Sequence, residues 1–365
     1  GPTATNNLGQ YLPVAVPDPT TYPGSDYYEI ALVEYAEQMH SDLPPTKLRG
    51  YVQMNVAAPH TNYLGPIIIA TKDRPVRVKF MNMLPTGAGG NLFLPVDTGI
   101  MGAGMGPLGM NVTPGNPMNY TQNRATLHLH GGRTPWISDG TPHQWTAPVG
   151  EKTDYPKGAA VQNVPDMPPA GPGELTFYWS NGQSARLLFY HDHAYGITRL
   201  NVYAGEAAGY LITDPTEQGL IASQILPGIG VPLVIQDRTF INDPNTWAAT
   251  SNNLYAAWGS SYTPMPLTDT TDPLWKSYVS SGLVGGNLWL PHEYMPNENP
   301  FDPRGYNDMG RWDYGPWMLP PMAVQNTMLP SPTLIPEAFM DTVIVNATAF
   351  PYLELPPTAV RFRIL

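Results

Sequence analysis

The chain has 365 residues, enough for two or three domains, and 42% of them are hydrophobic, ample for buried cores. Net charge is −11, with 18 Lys and Arg against 29 Asp and Glu and no basic cluster, so nucleic acid is excluded as a partner. No run of 18 apolar residues occurs, so no membrane span is expected. Cysteine is absent, which excludes disulfides and any thiolate metal ligand.

Pro (43) and Gly (35) are abundant and scattered among apolar runs, and no helical heptads accompany them. The pattern favours an all-β protein with large loops. Residues 1–26, rich in Pro, Thr and Asn, read as an N-terminal extended arm. Tyr27–Tyr35 is a plausible first strand. Val76–Leu84 (VRVKFMNML) alternates apolar with polar residues, the mark of a half-buried strand. A Gly-rich loop runs from about Pro85 to Asn123. Ala125–His130, Glu174–Ser180, Arg186–His193 and Gly209–Thr213 follow as strands, and Asp214-Pro215 marks a boundary. A second set begins at Val231–Phe240, passes through a loop-rich stretch at about 241–335, and resumes at Thr342–Asn346 and Val360–Leu365. The sequence ends on that last strand, which would leave a sheet edge unfinished.

Eight histidines occur, and four of them form two His-x-His pairs, His128/His130 and His191/His193. Random placement of eight histidines would give about 0.2 such pairs in this length, so the pairs call for an explanation. Both lie in strand-like runs, where residues i and i+2 point to the same face. Two neighbouring strands would therefore bring four imidazoles together. Neutral imidazole is a ligand for copper, zinc, iron and nickel, so the spacing says metal without saying which one.

The flanks narrow the choice. Leu127–Pro148 reads LHLHGGRTPWISDGTPHQWTAP and Leu188–Ile197 reads LFYHDHAYGI. Together they resemble the first two copper motifs of multicopper oxidases, His-x-His-Gly and Tyr/Trp-His-x-His. The bacterial branch of spore-coat laccases, phenoxazinone synthases and bilirubin oxidases is the nearest likeness. DLPPTKLRGY at 42–51, VKFMNMLP at 78–85, LFLPVDTGI at 92–100, VIQDRTF at 234–240 and the ending VNATAFPYLELPPTAVRFRIL agree with it, and 241–335 is weakly covered.

The resemblance implies cupredoxin-like Greek-key β-sandwich domains. The first, complete, would occupy 27–215. The second, at 221–365 with its insertion at about 241–335, would be truncated at its C-terminus, and a third would be absent. It implies His128 as the type 2 copper ligand and His130, His191 and His193 as type 3 ligands, four of the eight histidines of a trinuclear cluster. The type 1 copper and the other four ligands would come from the missing C-terminal cupredoxin domain or from a second chain carrying it. In the completed enzyme a small reductant or metal ion is oxidised one electron at a time and dioxygen is reduced to water. Asp139 matches a family carboxylate that assists proton delivery, a role suited to a carboxylate beside a metal site. Read from its residues alone it is an Asp-Gly turn. An extracytoplasmic setting, secreted, periplasmic or at the cell or spore surface, is also implied.

Asp192 faces away from its neighbouring ligands and reads as structural support. Tyr190 and Trp136 read as packing, and His40, His60, His143 and His292 as ordinary histidines. Met101–Met110 reads as a flexible Gly/Met loop. Trp312–Trp317 reads as an interface or a packed loop. Two other functions fit parts of the chain: a non-enzymatic copper-binding or structural coat or filament protein, and a zinc hydrolase on a β-scaffold.

Overall fold

The computed structural model describes residues 5–6, 8–94, 96, 98, 101–107, 115–238, 240, 286–288 and 342–365. Eight strands build the first unit: β1 (Asp26–Glu37), β2 (Thr46–Gln53), β3 (Leu64–Thr71), β4 (Val76–Asn82), β5 (His128–His130), β6 (Glu174–Trp179), β7 (Arg186–His191) and β8 (Ala207–Thr213). They form two four-stranded sheets, ordered β2-β1-β4-β6 and β3-β8-β7-β5. Each sheet holds one parallel pair, β1 with β4 and β3 with β8, and is otherwise antiparallel. Consecutive strands β3 and β4 lie in different sheets, so the chain crosses between layers. This is the expected cupredoxin-like Greek-key sandwich.

Alternation explains the packing. In β4, Val76, Val78 and Phe80 are fully buried while Arg77 and Lys79 point outward, to Asp166 at 2.6 Å and Glu174 at 2.8 Å. The inner faces close around Trp179, Phe177, Tyr28, Tyr190 and Tyr210. Every residue of β8 is buried, because its sides are covered by two cores. The second core joins Met39, Leu48 and Tyr63 to Val234, Phe240 and Ile344.

Two short helices were not anticipated, α1 (Thr198–Tyr203) and α2 (Pro215–Ala222). Asp214 caps α2 by accepting from Glu217 N at 2.7 Å, and Pro215 occupies the first turn, where its missing N–H costs nothing. The arm packs against the first unit. Ala15 and Gln10 are buried, Ala15 N donates to Ile67 O at 2.8 Å, and Asp26 already belongs to β1.

The remaining strands among the described residues are β9 (Val231–Leu233), β10 (Ile235–Arg238), β11 (Thr342–Val345), β12 (Thr348–Ala349) and β13 (Phe362–Ile364). The single strand expected at Val231–Phe240 is divided. β9 pairs with β13 and β10 with β11, so the chain changes sheet at Val234. Asn346 holds that switch: its side chain accepts from Val234 N and donates to Pro232 O, both at 2.8 Å. Glu217 pairs with Arg361 at 2.7 Å and with Arg363, fastening α2 to the approach to β13. His292 and Trp312–Trp317 lie outside the described residues, as does the stretch 241–285.

Candidate metal centre

β5 and β7 are antiparallel neighbours, and their register sets His128 opposite His191. The two His-x-His pairs therefore meet, as the spacing requires. Ring centroids of His128 lie 5.7 Å from His130, 5.4 Å from His191 and 4.9 Å from His193. Ring nitrogens of His128, His130 and His191 all lie within 4.8 Å of one another. His130 Nδ1 and His191 Nε2 are 3.2 Å apart. That separation suits two ligands on one ion with metal–nitrogen bonds of about 2.0–2.1 Å.

The strands are shorter than expected. Regular pairing covers only His128–His130 of the run Ala125–His130, and β7 ends at His191. The turn past His191 has a cause. Asp192 N still donates to Glu206 O at 3.1 Å, the next position of the β7–β8 register, and the Asp192 carboxylate then accepts from Ala194 N, turning the backbone away from the sheet. His193 thus reaches the cluster from a turn; its Nδ1 is buried and has no hydrogen-bond partner among the described residues.

Two backbone carbonyls orient the rings. His128 Nδ1 donates to Asp139 O at 2.6 Å, and His191 Nδ1 to Asp192 O at 2.5 Å. Each contact leaves Nε2 as the free lone pair, the usual way an imidazole is presented to a metal. Burial, reinforced by the neighbouring imidazoles and partly opposed by the Asp192 carbonyl, lowers the His191 pKa to about 4. An ordinary histidine near 6.5 competes with protons at mildly acid pH. Protons are therefore expected to compete for His191 only as pH falls toward 4, which a metal-affinity titration from pH 7 to 4 on His191→Ala and the parent chain would measure.

Asp139 stands beside the cluster. Its Oδ2 lies 3.8 Å from His128 Nδ1 and its Oδ1 accepts from Thr134 Oγ1 at 2.7 Å. Gly140 follows with φ +67°, and a Cβ there would run into Leu127 O. Gly140→Ala is expected to cost about 2–4 kcal/mol and to loosen the Asp139 carbonyl from His128, checked by thermal unfolding and by metal affinity.

Asp192 does more than the sequence suggested. It is fully buried and accepts from Thr126 N at 2.9 Å and Asn201 Nδ2 at 2.9 Å as well as Ala194 N. One carboxylate thus ties the approach to β5, the turn after β7 and helix α1 together. Arg124, which sequence reading passed over, is also fully buried. It donates to Gly102 O at 2.6 Å and Tyr195 O at 3.1 Å, between the rings of Tyr120 and Trp145. A lone arginine within QNRATLHLH gives no local signal of such a role.

The other singled-out residues stay apart from the centre. Tyr190 is buried with its hydroxyl on Pro66 O at 2.6 Å, and Trp136 is 65% exposed. His143 packs on Tyr195 and His60 on Tyr11, while His40 meets Phe240. Met101 and Met105 are exposed, and Met110 lies outside the described residues.

The ring nitrogens of His128, His130 and His191, with the His193 ring beside His128 and its Nδ1 buried and unpartnered among the described residues, fit copper, which imidazole suits. Three surrounding rings, and no carboxylate among the described residues within the group of ring nitrogens, make it a poor hard-cation site.

No family model matches the chain. It is 32% identical over 343 residues to a laccase of Bacillus stratosphericus, covering 94% of this chain and 46% of that protein. It is 29% identical over 343 residues to a laccase of Bacillus subtilis (strain 168), covering 93% of this chain and 45% of that protein. Among solved structures it is similar to the 2F4 variant of the McoA multicopper oxidase of Aquifex aeolicus, with a TM-score of 0.47, 18% identity, and coverage of 98% of this chain and 45% of the other. The chain thus spans about half the length of the curated relatives it matches. The alignment to those laccases runs through both His-x-His motifs and nearly the whole sequence: the chain belongs to the multicopper oxidase family.

Proposed function

We propose that this chain is the N-terminal part of a laccase-like oxidase and supplies half the ligands of a trinuclear copper cluster. The observation that carries the reading is the meeting of His128, His130, His191 and His193 across the β5–β7 pair. When bound, copper supplies the redox chemistry: single electrons from a reductant accumulate, and dioxygen is reduced to water. The chain's own residues hold and aim the imidazoles. His128 serves the type 2 position and His130, His191 and His193 the type 3 pair. The Asp139 carboxylate, close to His128, hands protons toward the site.

Residues 27–215 form one cupredoxin domain in this reading, and 221–365 belong to a second. The type 1 copper and four further histidines come from sequence beyond this chain or from a second polypeptide. The reductant is a small phenol, a pigment or a metal ion, and the work is done outside the cytoplasm. No helix among the described residues is long and apolar enough to cross a membrane.

The test is intact mass, copper content and oxygen uptake on the native gene product. The reading expects a mass well above 39.9 kDa, or a second chain, with about four coppers and oxygen consumed on adding a phenol. A stable, copper-poor monomer of this mass that consumes no oxygen would overturn it.

A further inference from the structure

One line of buried charge has no part in orienting the histidines. Glu206, at the entrance to β8, is fully buried, and neither carboxylate oxygen has a hydrogen-bond partner among the described residues. Arg49 Nη1 lies 3.8 Å from Glu206 Oε1, and Arg49 Nε lies 3.9 Å from Glu34 Oε2. Both gaps are too long for a direct hydrogen bond. Arg49 Nε and Glu34 Oε2 are also buried without partners, whereas the other Arg49 nitrogens donate to Gln122 O and Gly90 O at 2.9 Å each.

Buried charged atoms are not left bare, and polar groups at such separations are the ones water bridges. The outer end of the line is open: the Glu34 side chain is 15% exposed and holds Lys47, itself 39% exposed, at 2.6 Å. The inner end abuts the site. Glu206 O accepts from Asp192 N, between His191 and His193. Thr126 and Asn201 bind Asp192 through their nitrogens, and Thr126 Oγ1 and Asn201 Oδ1 are again buried without partners.

The surroundings of Glu206 favour its neutral form. Burial raises its pKa well above the ordinary carboxylate range, Asp192 adds to the rise, and Arg49 offsets it only in part. Tyr51 offers its hydroxyl to the Glu206 backbone carbonyl at 3.3 Å, not to the carboxyl group. Arg49, facing Glu34, Glu206 and Asp192 together, cannot neutralise all three.

We propose that Glu206 is a proton-holding carboxyl, refilled from solvent along the Glu34–Arg49 seam, that supplies protons to the neighbouring histidine site. The proposal rests on the oxidase reading, because reduction of dioxygen to water consumes one proton for each electron. In each step the Glu206 O–H bond breaks and its proton passes through bridging water to an oxygen of the dioxygen being reduced. The electron comes from the reductant that the oxidase reading supplies. The carboxylate then takes a proton from water on the Arg49 side, replaced from solvent past Glu34. Arg49 stays protonated throughout and orients the waters.

Infrared spectroscopy of the full chain at pH 7 tests the proton directly and needs neither copper nor turnover. A protonated-carboxyl carbonyl band that Glu206→Gln removes is expected, and Glu34→Leu should slow its shift in deuterated water at least tenfold. 13C-glutamate labelling of the unaltered chain must move the same band, which keeps the test valid if a variant fails to fold. No such band, or deuteration unaffected by Glu34→Leu, overturns the proposal. In the copper-loaded oxidase, Glu206→Gln should slow oxygen uptake about tenfold, leave KM for the reductant unchanged and raise the solvent isotope effect. An unchanged rate overturns the catalytic use of that proton. A parent protein that consumes no oxygen counts against the oxidase reading alone, and the infrared result still decides whether Glu206 holds an exchangeable proton.

Discussion

Asp192→Ala is expected to destabilise the chain by about 3–5 kcal/mol, the loss usual when one partner of a buried charged network is removed. The carboxylate accepts from Thr126 N, Ala194 N and Asn201 Nδ2, and each donor would be left buried without that acceptor. Arg124 would lose the carboxylate that most strongly supports its charge. The metal site would suffer as well, because the same group fixes the turn that carries His193. Chemical denaturation measures the first effect and metal competition the second. Asp192→Asn separates charge from shape. Burial raises the Asp192 pKa to about 6, against hydrogen bonds from Asn201, Thr126 and Ala194 that lower it. A folded pKa above the unfolded value favours the protonated fold. That contribution is fully present below about 3.8 and is lost as pH rises through about 6. Relative to Asp192→Asn, the parent chain should therefore lose on the order of 3 kcal/mol between pH 4 and 7.

His191→Ala should weaken copper binding at least about 100-fold, beyond the 10- to 100-fold usual for losing a ligand's outer partner. His191 faces His128 across the strand pair and its Nε2 lies 3.2 Å from His130 Nδ1, so its loss removes a donor from the middle of the group. The metal-free fold should survive, because His191 closes a strand whose neighbours on β8 are small alanines. Competition with a chelator of known affinity gives the magnitude. Equal affinity in variant and parent would place the ion elsewhere.

Much of this site was legible in the sequence, since period-two geometry alone says that two His-x-His pairs on adjacent strands converge. The alternation in VRVKFMN likewise marks β4 without ambiguity. β3 was missed because LGPIIIAT has an uninterrupted apolar run and a proline, which carry no alternation. β2 was missed because TKLRGYVQ spreads Lys47, Arg49 and Gln53 along a strand that is nevertheless almost wholly buried. That burial is made possible for Arg49 by Glu34 and by the Gln122 and Gly90 carbonyls, which no local window contains. Helix α1 spans only six residues, too few to display a helical period. The turn that moves His193 off its strand depends on the Asp192 carboxylate accepting from Ala194 N, a side-chain contact that a period-two reading of the run does not display.

X-ray absorption at the copper edge, on this chain loaded with copper, tests the central claim most directly. The account predicts imidazole nitrogen ligands at about 2.0–2.1 Å, lost when His128 and His191 are both replaced by alanine. Sulfur ligands at about 2.3 Å, or a spectrum unchanged by the double replacement, would contradict it.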